Sequence, residues 1–158
     1  MAFSFGPKSR AELVGVHPKM VAFAERTLAL SPQDFAVHDG LRTEKEQRVY
    51  VQTGVSQTMN SMHMKQADGF GHAVDLVPFI NGKVRWEWPP IYVIAAAARQ
   101  AALELDLRVR WGGCWTDLDQ IVGDTPAAME KAVAAYGAAR RRAGKKAFTD
   151  GPHFELAK

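Results

Sequence analysis

An α+β fold, with a small antiparallel sheet and helices packed around it, is predicted by three features of the sequence. Segments with apolar residues at helical spacing mix with short strand-like runs, without the regular βαβ alternation of a parallel sheet. Asn81-Gly82 separates two such runs, and this dipeptide is a strong signal for a tight turn between antiparallel strands. The length of 158 residues, 47% hydrophobic and 23% charged, suits a single domain with a real core.

The elements follow in order. Pro18 opens a helix whose inner face carries Met20, Phe23, Ala24, Thr27 and Leu28 and which ends near Ser31-Pro32. Phe35 to His38 reads as a short strand running into Asp39-Gly40. Thr43 with Glu46 three residues on is a capping box, so a helix is expected from about residue 44 to Gln52, stopping at Gly54. His72 to Phe79 and Lys83 to Trp86 form the hairpin around Asn81-Gly82. After Pro89-Pro90, a long core helix is marked by Ile91, Ile94, Ala95, Ala98, Ala102 and Leu105. Leu107 to Trp111 returns as a strand. Thr125-Pro126 caps a last helix with Met129, Val133, Tyr136 and Gly137 inward, and His153 to Leu156 closes the sheet.

Composition excludes several function classes. The longest apolar run, Ile91 to Ala98, is eight residues, against about 20 needed to span a bilayer. The first ten residues lack the apolar stretch of a signal peptide, so a cytoplasmic product is expected. One cysteine, Cys114, excludes an internal disulfide framework and every multi-cysteine zinc site. The pI of 9.1 arises locally. Arg140, Arg141, Arg142, Lys145 and Lys146 supply five of the 20 basic residues, and without them 15 basic residues face 17 acidic ones. Cations at a helix end favour its dipole, and no aromatic residues interleave them, so no specific nucleic-acid site is expected. Loose attraction to anionic wall polymer or lipid fits the same patch.

Chemistry concentrates in two segments. Ser61-Met-His63 precedes Gly71-His72-Ala-Val-Asp75, and Asp150-Gly-Pro-His153 lies near the C-terminus. A hydrolytic zinc site takes three ligands from His, Asp and Glu, and works with a carboxylate outside that set as general base. Side chains alternate along a strand, so His72 and Asp75 face opposite sides, and His63 is the better partner for Asp75. Pro152 restrains the backbone before His153, and Asp150 can approach the same metal's water without ligating the metal. Arg42, between a strand end and a helix start, suits a substrate carboxylate or an oxyanion as well as it suits an ion pair with Glu46.

Together these segments resemble the zinc D-Ala-D-Ala carboxypeptidase and L-alanyl-D-glutamate endopeptidase family, in particular its phage endolysins. The family pattern Ser-x-His-x-x-Gly-x-Ala-x-Asp reads here as Ser61-Met-His63 and Gly71-His-Ala73-Val-Asp75. Seven residues, Met64 to Phe70, stand where the family has two. Asp150-Gly-Pro-His153-Phe154, Gly40-Leu-Arg42-Thr43-Glu-Lys-Glu-Gln47 and Trp111-Gly112-Gly113 match further motifs in the right order.

The resemblance implies a hedgehog/D-Ala-D-Ala peptidase-like fold and one Zn2+ held by His63, Asp75 and His153. It makes Asp150 the catalytic base, assigns Arg42 to the substrate or its oxyanion, and places Ser61 and Gln47 near the substrate. It implies cleavage of the bacterial peptidoglycan stem peptide, first at L-Ala–D-Glu and in the alternative as a D-Ala-D-Ala carboxypeptidase. Asp75 would only partly neutralise the metal, leaving a net positive site for an anionic peptide. A single catalytic domain over residues 1–158, without a separate wall-binding module, is expected to act as a monomer. It would accumulate in the infected host's cytoplasm and reach the wall after membrane failure or through a holin. Two other readings compete: a Cys/His hydrolase using Cys114, and a non-catalytic module stapled by zinc.

Overall fold

The computed structural model describes residues 3–56 and 58–157. Its sheet is antiparallel throughout. The strands are β1 (Phe35–Asp39), β2 (Ala73–Ile80), β3 (Lys83–Val84), β4 (Val109–Trp111), β5 (Thr116–Asp117) and β6 (His153–Leu156). Their order is β1-β2-β6-β4-β5, with β3 paired to the far end of β2. The helices are α1 (Pro7–Glu12), α2 (Pro18–Leu30), α3 (Glu44–Gln52), α4 (Trp88–Glu104) and α5 (Pro126–Arg142).

Register decides which side chains meet. Val74 pairs with Phe154, and Phe154 with Trp111, so this row turns to the helices and is fully buried. Phe154 packs on the Phe23 ring at 5.7 Å and stacks on Trp111 at 6.4 Å. Burying side chains of this size contributes roughly 1.5–3 kcal/mol each. The helical face read from the sequence of α2 is the buried one, since Met20, Phe23, Ala24, Thr27 and Leu28 are all inside. On α4 the alanines let α2 and α5 approach closely, and Ala95, Ala98 and Ala101 have no exposed surface.

Several boundaries differ from expectation. The α4 helix begins at Trp88, before the two prolines, because proline is accommodated in a first turn whose N–H groups have no helical partner. Leu105 is its half-exposed C-cap and not a core residue. Asp106 then takes a left-handed conformation, φ 53°, which delays β4 to Val109. The β3 strand stops at Val84, and Trp86 leaves the sheet to meet His38 edge-on at 5.1 Å. Trp88 instead stacks on Tyr92 at 5.3 Å against the core. The short α1, which the sequence reading passed over, covers the β1 edge. There the Val37 N–H donates to Ser9 Oγ at 3.1 Å. The Arg140–Arg142 run forms the last turn of α5, at the negative end of its dipole. No described helix is long and apolar enough to cross a membrane.

Candidate metal centre

The sheet face opposite the helices builds the site. Asp75 on β2 pairs with His153 on β6, and alternation turns both away from the core row of Val74 and Phe154. His63 arrives from the preceding loop, its carbonyl accepting the Arg42 N–H at 2.8 Å. His63 Nε2 lies 3.1 Å from Asp75 Oδ1 and 3.2 Å from His153 Nδ1, and His153 Nδ1 lies 3.4 Å from the same carboxylate oxygen. Among the described residues this is the only cluster of three His, Cys, Asp or Glu whose ligand atoms fall within 4.8 Å of one another. The seven residues from Met64 to Phe70 therefore leave His63 beside Asp75.

The outer ring nitrogens show what the centre is built to hold. His63 Nδ1 lies 2.9 Å from the Gly40 carbonyl, which only accepts, so Nδ1 carries the proton and the Nε2 lone pair faces inward. His153 Nε2 lies 2.8 Å from Glu155 Oε1, so by the same logic its Nδ1 lone pair faces inward. Two lone pairs and a carboxylate oxygen thus converge, an arrangement that repels itself unless a cation sits among them. Where protons take the inward positions in place of a cation, both imidazoles donate to Asp75, and their proton affinities report the same demand for positive charge. Burial pushes His153 down, but hydrogen bonds to Asp75 and Glu155 reverse this and take it up to about 10. Burial would raise Asp75, yet the His63 charge and the bonds from both imidazoles hold it well below the usual carboxylate range.

Asp150 stands outside the ligand cluster in the same cleft. Its carboxyl is pushed up to about 6, first by burial and then by the Asp75 charge, against the pull of His153, His63 and Arg42. The turn after β4 fixes its backbone. The Gly112 N–H donates to the His153 carbonyl at 2.8 Å and the Gly112 carbonyl accepts the Asp150 N–H at 2.9 Å. A Cβ on Gly112 would lie 2.4 Å from the Asp150 carbonyl oxygen and 3.0 Å from His153 Cβ. Trp111 Nε1 donates to the Gly151 carbonyl at 2.7 Å, securing the same loop.

Arg42 is buried and held from inside the protein. Its Nε and one terminal nitrogen donate to Asp39, the other terminal nitrogen donates to Gln47 Oε1 at 2.6 Å, and Tyr50 lies under the guanidinium at 4.3 Å. The ion pair with Glu46 does not form, because the Glu46 carboxylate completes the capping box with Thr43. Arg42 reaches the centre only at 3.9 Å from Asp75 Oδ2. Gln47, expected near the substrate, is fully buried, does not line the cleft and braces Arg42 from within. Its amide nitrogen donates to Ser56 Oγ at 2.8 Å and to the Thr58 carbonyl at 2.5 Å. Ser61 lines the cleft, and its Oγ accepts the His63 N–H at 3.1 Å.

His72 faces away, bonded to Asp68 at 2.6 Å. Cys114 is a buried core residue outside the cleft whose thiol burial pushes up, the opposite of an activated nucleophile. Glu155 was missed by the sequence reading. It lies two residues beyond His153 on the same strand face, a period that could have revealed it.

The cleft encloses about 1100 Å³. Its walls carry five carboxylates (Asp39, Asp75, Asp117, Asp150 and Glu155) against two guanidiniums, Arg42 and Arg110. Even with a divalent cation these groups carry no excess of positive charge, so the net positive site expected around the metal is local and does not extend over the lining.

Similarity to known proteins covers these elements. Residues 1–129 match the family model described as phage L-alanyl-D-glutamate peptidase. The L-alanyl-D-glutamate peptidase of Escherichia phage T5 is 34% identical over 116 residues, 73% of this chain and 83% of that protein. The crystal structure of the Serratia marcescens L-Ala D-Glu endopeptidase ChiX aligns with a TM-score of 0.69 at 34% identity, covering 98% of this chain and 90% of the other. That alignment carries the likeness past residue 129, where the family match ends. By sequence and by fold, the chain belongs to the phage L-alanyl-D-glutamate peptidase family.

Proposed function

We propose that the chain is a zinc-dependent peptidoglycan peptidase that hydrolyses the L-Ala–D-Glu bond of the stem peptide. The observation that carries this reading is the convergence of two imidazole lone pairs and one carboxylate oxygen beside a separate, proton-hungry carboxyl, in a chain of this family. Two His and one Asp are a donor set that suits zinc, and three protein ligands is the number hydrolytic zinc sites use. Zinc held there supplies Lewis acidity towards the scissile carbonyl and lowers the pKa of a water to about 7.

The remaining roles belong to the chain. Asp150 takes the proton of the attacking water and returns it to the amine of D-glutamate as the bond breaks. Arg42 contributes positive charge towards the developing oxyanion and keeps Asp39 from competing for the centre. Gln47 acts through Arg42, and Ser61 holds both the His63 backbone and the near edge of the substrate. Glu155 fixes the tautomer and orientation of His153.

Residues 1–158 act as one catalytic unit, as a monomer, on a wall reached from the host cytoplasm after membrane failure or through a holin. Mass spectrometry of peptidoglycan fragments after digestion tests the bond. New L-alanine carboxyl termini and D-glutamate amino termini are expected. Release of terminal D-alanine would make the chain a carboxypeptidase, and intact stem peptides with zinc bound would make it a stapled binding module.

A further inference from the structure

Of the two guanidiniums in the cleft, Arg42 is saturated from within, whereas Arg110 is not. Arg110 sits on β4 opposite Glu155 of β6 and Asp117 of β5, on the same sheet face as the metal centre. Its Nε donates to the Trp115 carbonyl at 3.2 Å, and its guanidinium lies 5.3 Å from the centre of the Trp115 ring. Both acidic neighbours are engaged elsewhere. Asp117 accepts from Arg108 at 2.9 Å, and Glu155 is bonded to His153 at 2.8 Å. The two terminal nitrogens of Arg110 therefore have no protein acceptor among the described residues, although the group is exposed on a cleft wall rich in carboxylates. The Trp115 ring that supports it also touches the His153 imidazole, at 5.4 Å between centres. A planar fork held at Nε and backed by an aromatic ring is pre-oriented to grip a carboxylate through two parallel hydrogen bonds.

We propose that Arg110 is the specificity-determining anchor for the free carboxylate of the glutamyl residue on the amine side of the scissile bond. This rests on the peptidase reading above and deepens it. Position fits the assignment. Arg110 is one strand away from β6, about 4.8 Å, and level with a residue two places from His153, about 7 Å along the strand. An extended peptide advances about 3.4 Å per residue, so a side group within one or two residues of the reacting carbonyl comes within reach of the arginine. The five carboxylates around the cleft repel an acidic peptide everywhere else, so the one unpaired guanidinium sets the register in which it binds.

The test compares two synthetic stem peptides, one with the glutamyl carboxylate free and one with it converted to a carboxamide, using the zinc-loaded full chain. Wild type is expected to favour the acid at least tenfold in kcat/KM. Arg110→Gln should raise KM for the acid by about tenfold or more with kcat within about twofold, and leave the amide unchanged. Arg110→Lys should recover only part of the loss, since an ammonium lacks the fork. Equal losses on both peptides, no loss on either, or a wild-type preference for the amide overturns the assignment while leaving the peptidase reading intact. A wild-type chain that cuts neither peptide overturns the peptidase reading and this assignment with it.

Discussion

Two His–Asp–His groups draw on the segment from His63 to His72, and they are opposite in kind. At His63, Asp75 and His153, the outer nitrogens donate to a backbone carbonyl and to Glu155, so lone pairs converge. At His17, Asp68 and His72 the polarity is reversed. His17 Nδ1 accepts the Lys19 N–H at the start of α2, which turns its protonated Nε2 towards Asp68, 3.8 Å away. His72 donates to the same carboxylate at 2.6 Å, and Asp68 also accepts the Phe70 N–H at 3.1 Å. That backbone bond first, and then His72, hold Asp68 below its ordinary pKa. Here hydrogens surround an anion and nothing further is needed. Residue types alone do not make a metal site; what the far side of each imidazole touches decides it.

The largest test of this contrast is removal of the metal. Chelation, or His63→Ala, should abolish cleavage, because losing several kcal/mol of transition-state stabilisation slows the reaction by about a thousandfold or more. Zinc should restore the chelated protein and magnesium should not, as measured by turbidity loss of wall suspensions. The same treatments should find no metal at His17, Asp68 and His72, and two zinc equivalents per chain would break the distinction.

Next in size is Asp150→Asn, expected to lower kcat by about 10²–10⁴-fold while metal content stays at about one ion per chain. Loss of the ion would make Asp150 a ligand instead. A base must be ionised to accept a proton, so activity should fall as pH drops through the Asp150 pKa. That acid limb belongs at or below about 6, because a cation in the centre pulls the carboxyl further down. A pH profile of kcat/KM unchanged by the substitution would remove Asp150 from the role.

Glu155→Gln sharpens the comparison further, since an amide can present its nitrogen to His153 and undo the fixed tautomer. Metal affinity should weaken by about 10–100-fold in a competition titration. The smallest effect is expected at the second cluster. Asp68→Ala should leave the midpoint of denaturant melts close to that of the unaltered chain, and leave zinc content and cleavage intact, as for an exposed ion pair.

Much of this was legible in the chain itself. Periodicity gave the buried face of α2, and the Thr43–Glu46 pair located α3 to the residue because a capping box is a local hydrogen-bond pattern. Strand alternation alone distinguishes His63 from His72, because opposite faces of one strand cannot share an ion. What escaped was long-range or too short to carry a period. The α1 helix has six residues and β5 two, and both persist through what they pack on. Arg42 suits a substrate group or a Glu46 ion pair equally by sequence, and Gln47 a place near the substrate, yet a buried ion pair and a bracing amide form only when Asp39, Ser56 and Thr58 arrive in space. The lone-pair arrangement at the centre depends on Gly40, 23 residues from His63, and no spacing rule reaches that far.

Gly112 sets a dimension of the cleft without lining it. Asp150 and His153 are both seated against this residue, at a place where any other amino acid would put a carbon. The spacing between Asp150 and His153 is therefore gauged by the thickness of a bare backbone, on a turn about 40 positions upstream of both. Any side chain at that seat would push Asp150 and His153 apart before it touched anything else in the cleft.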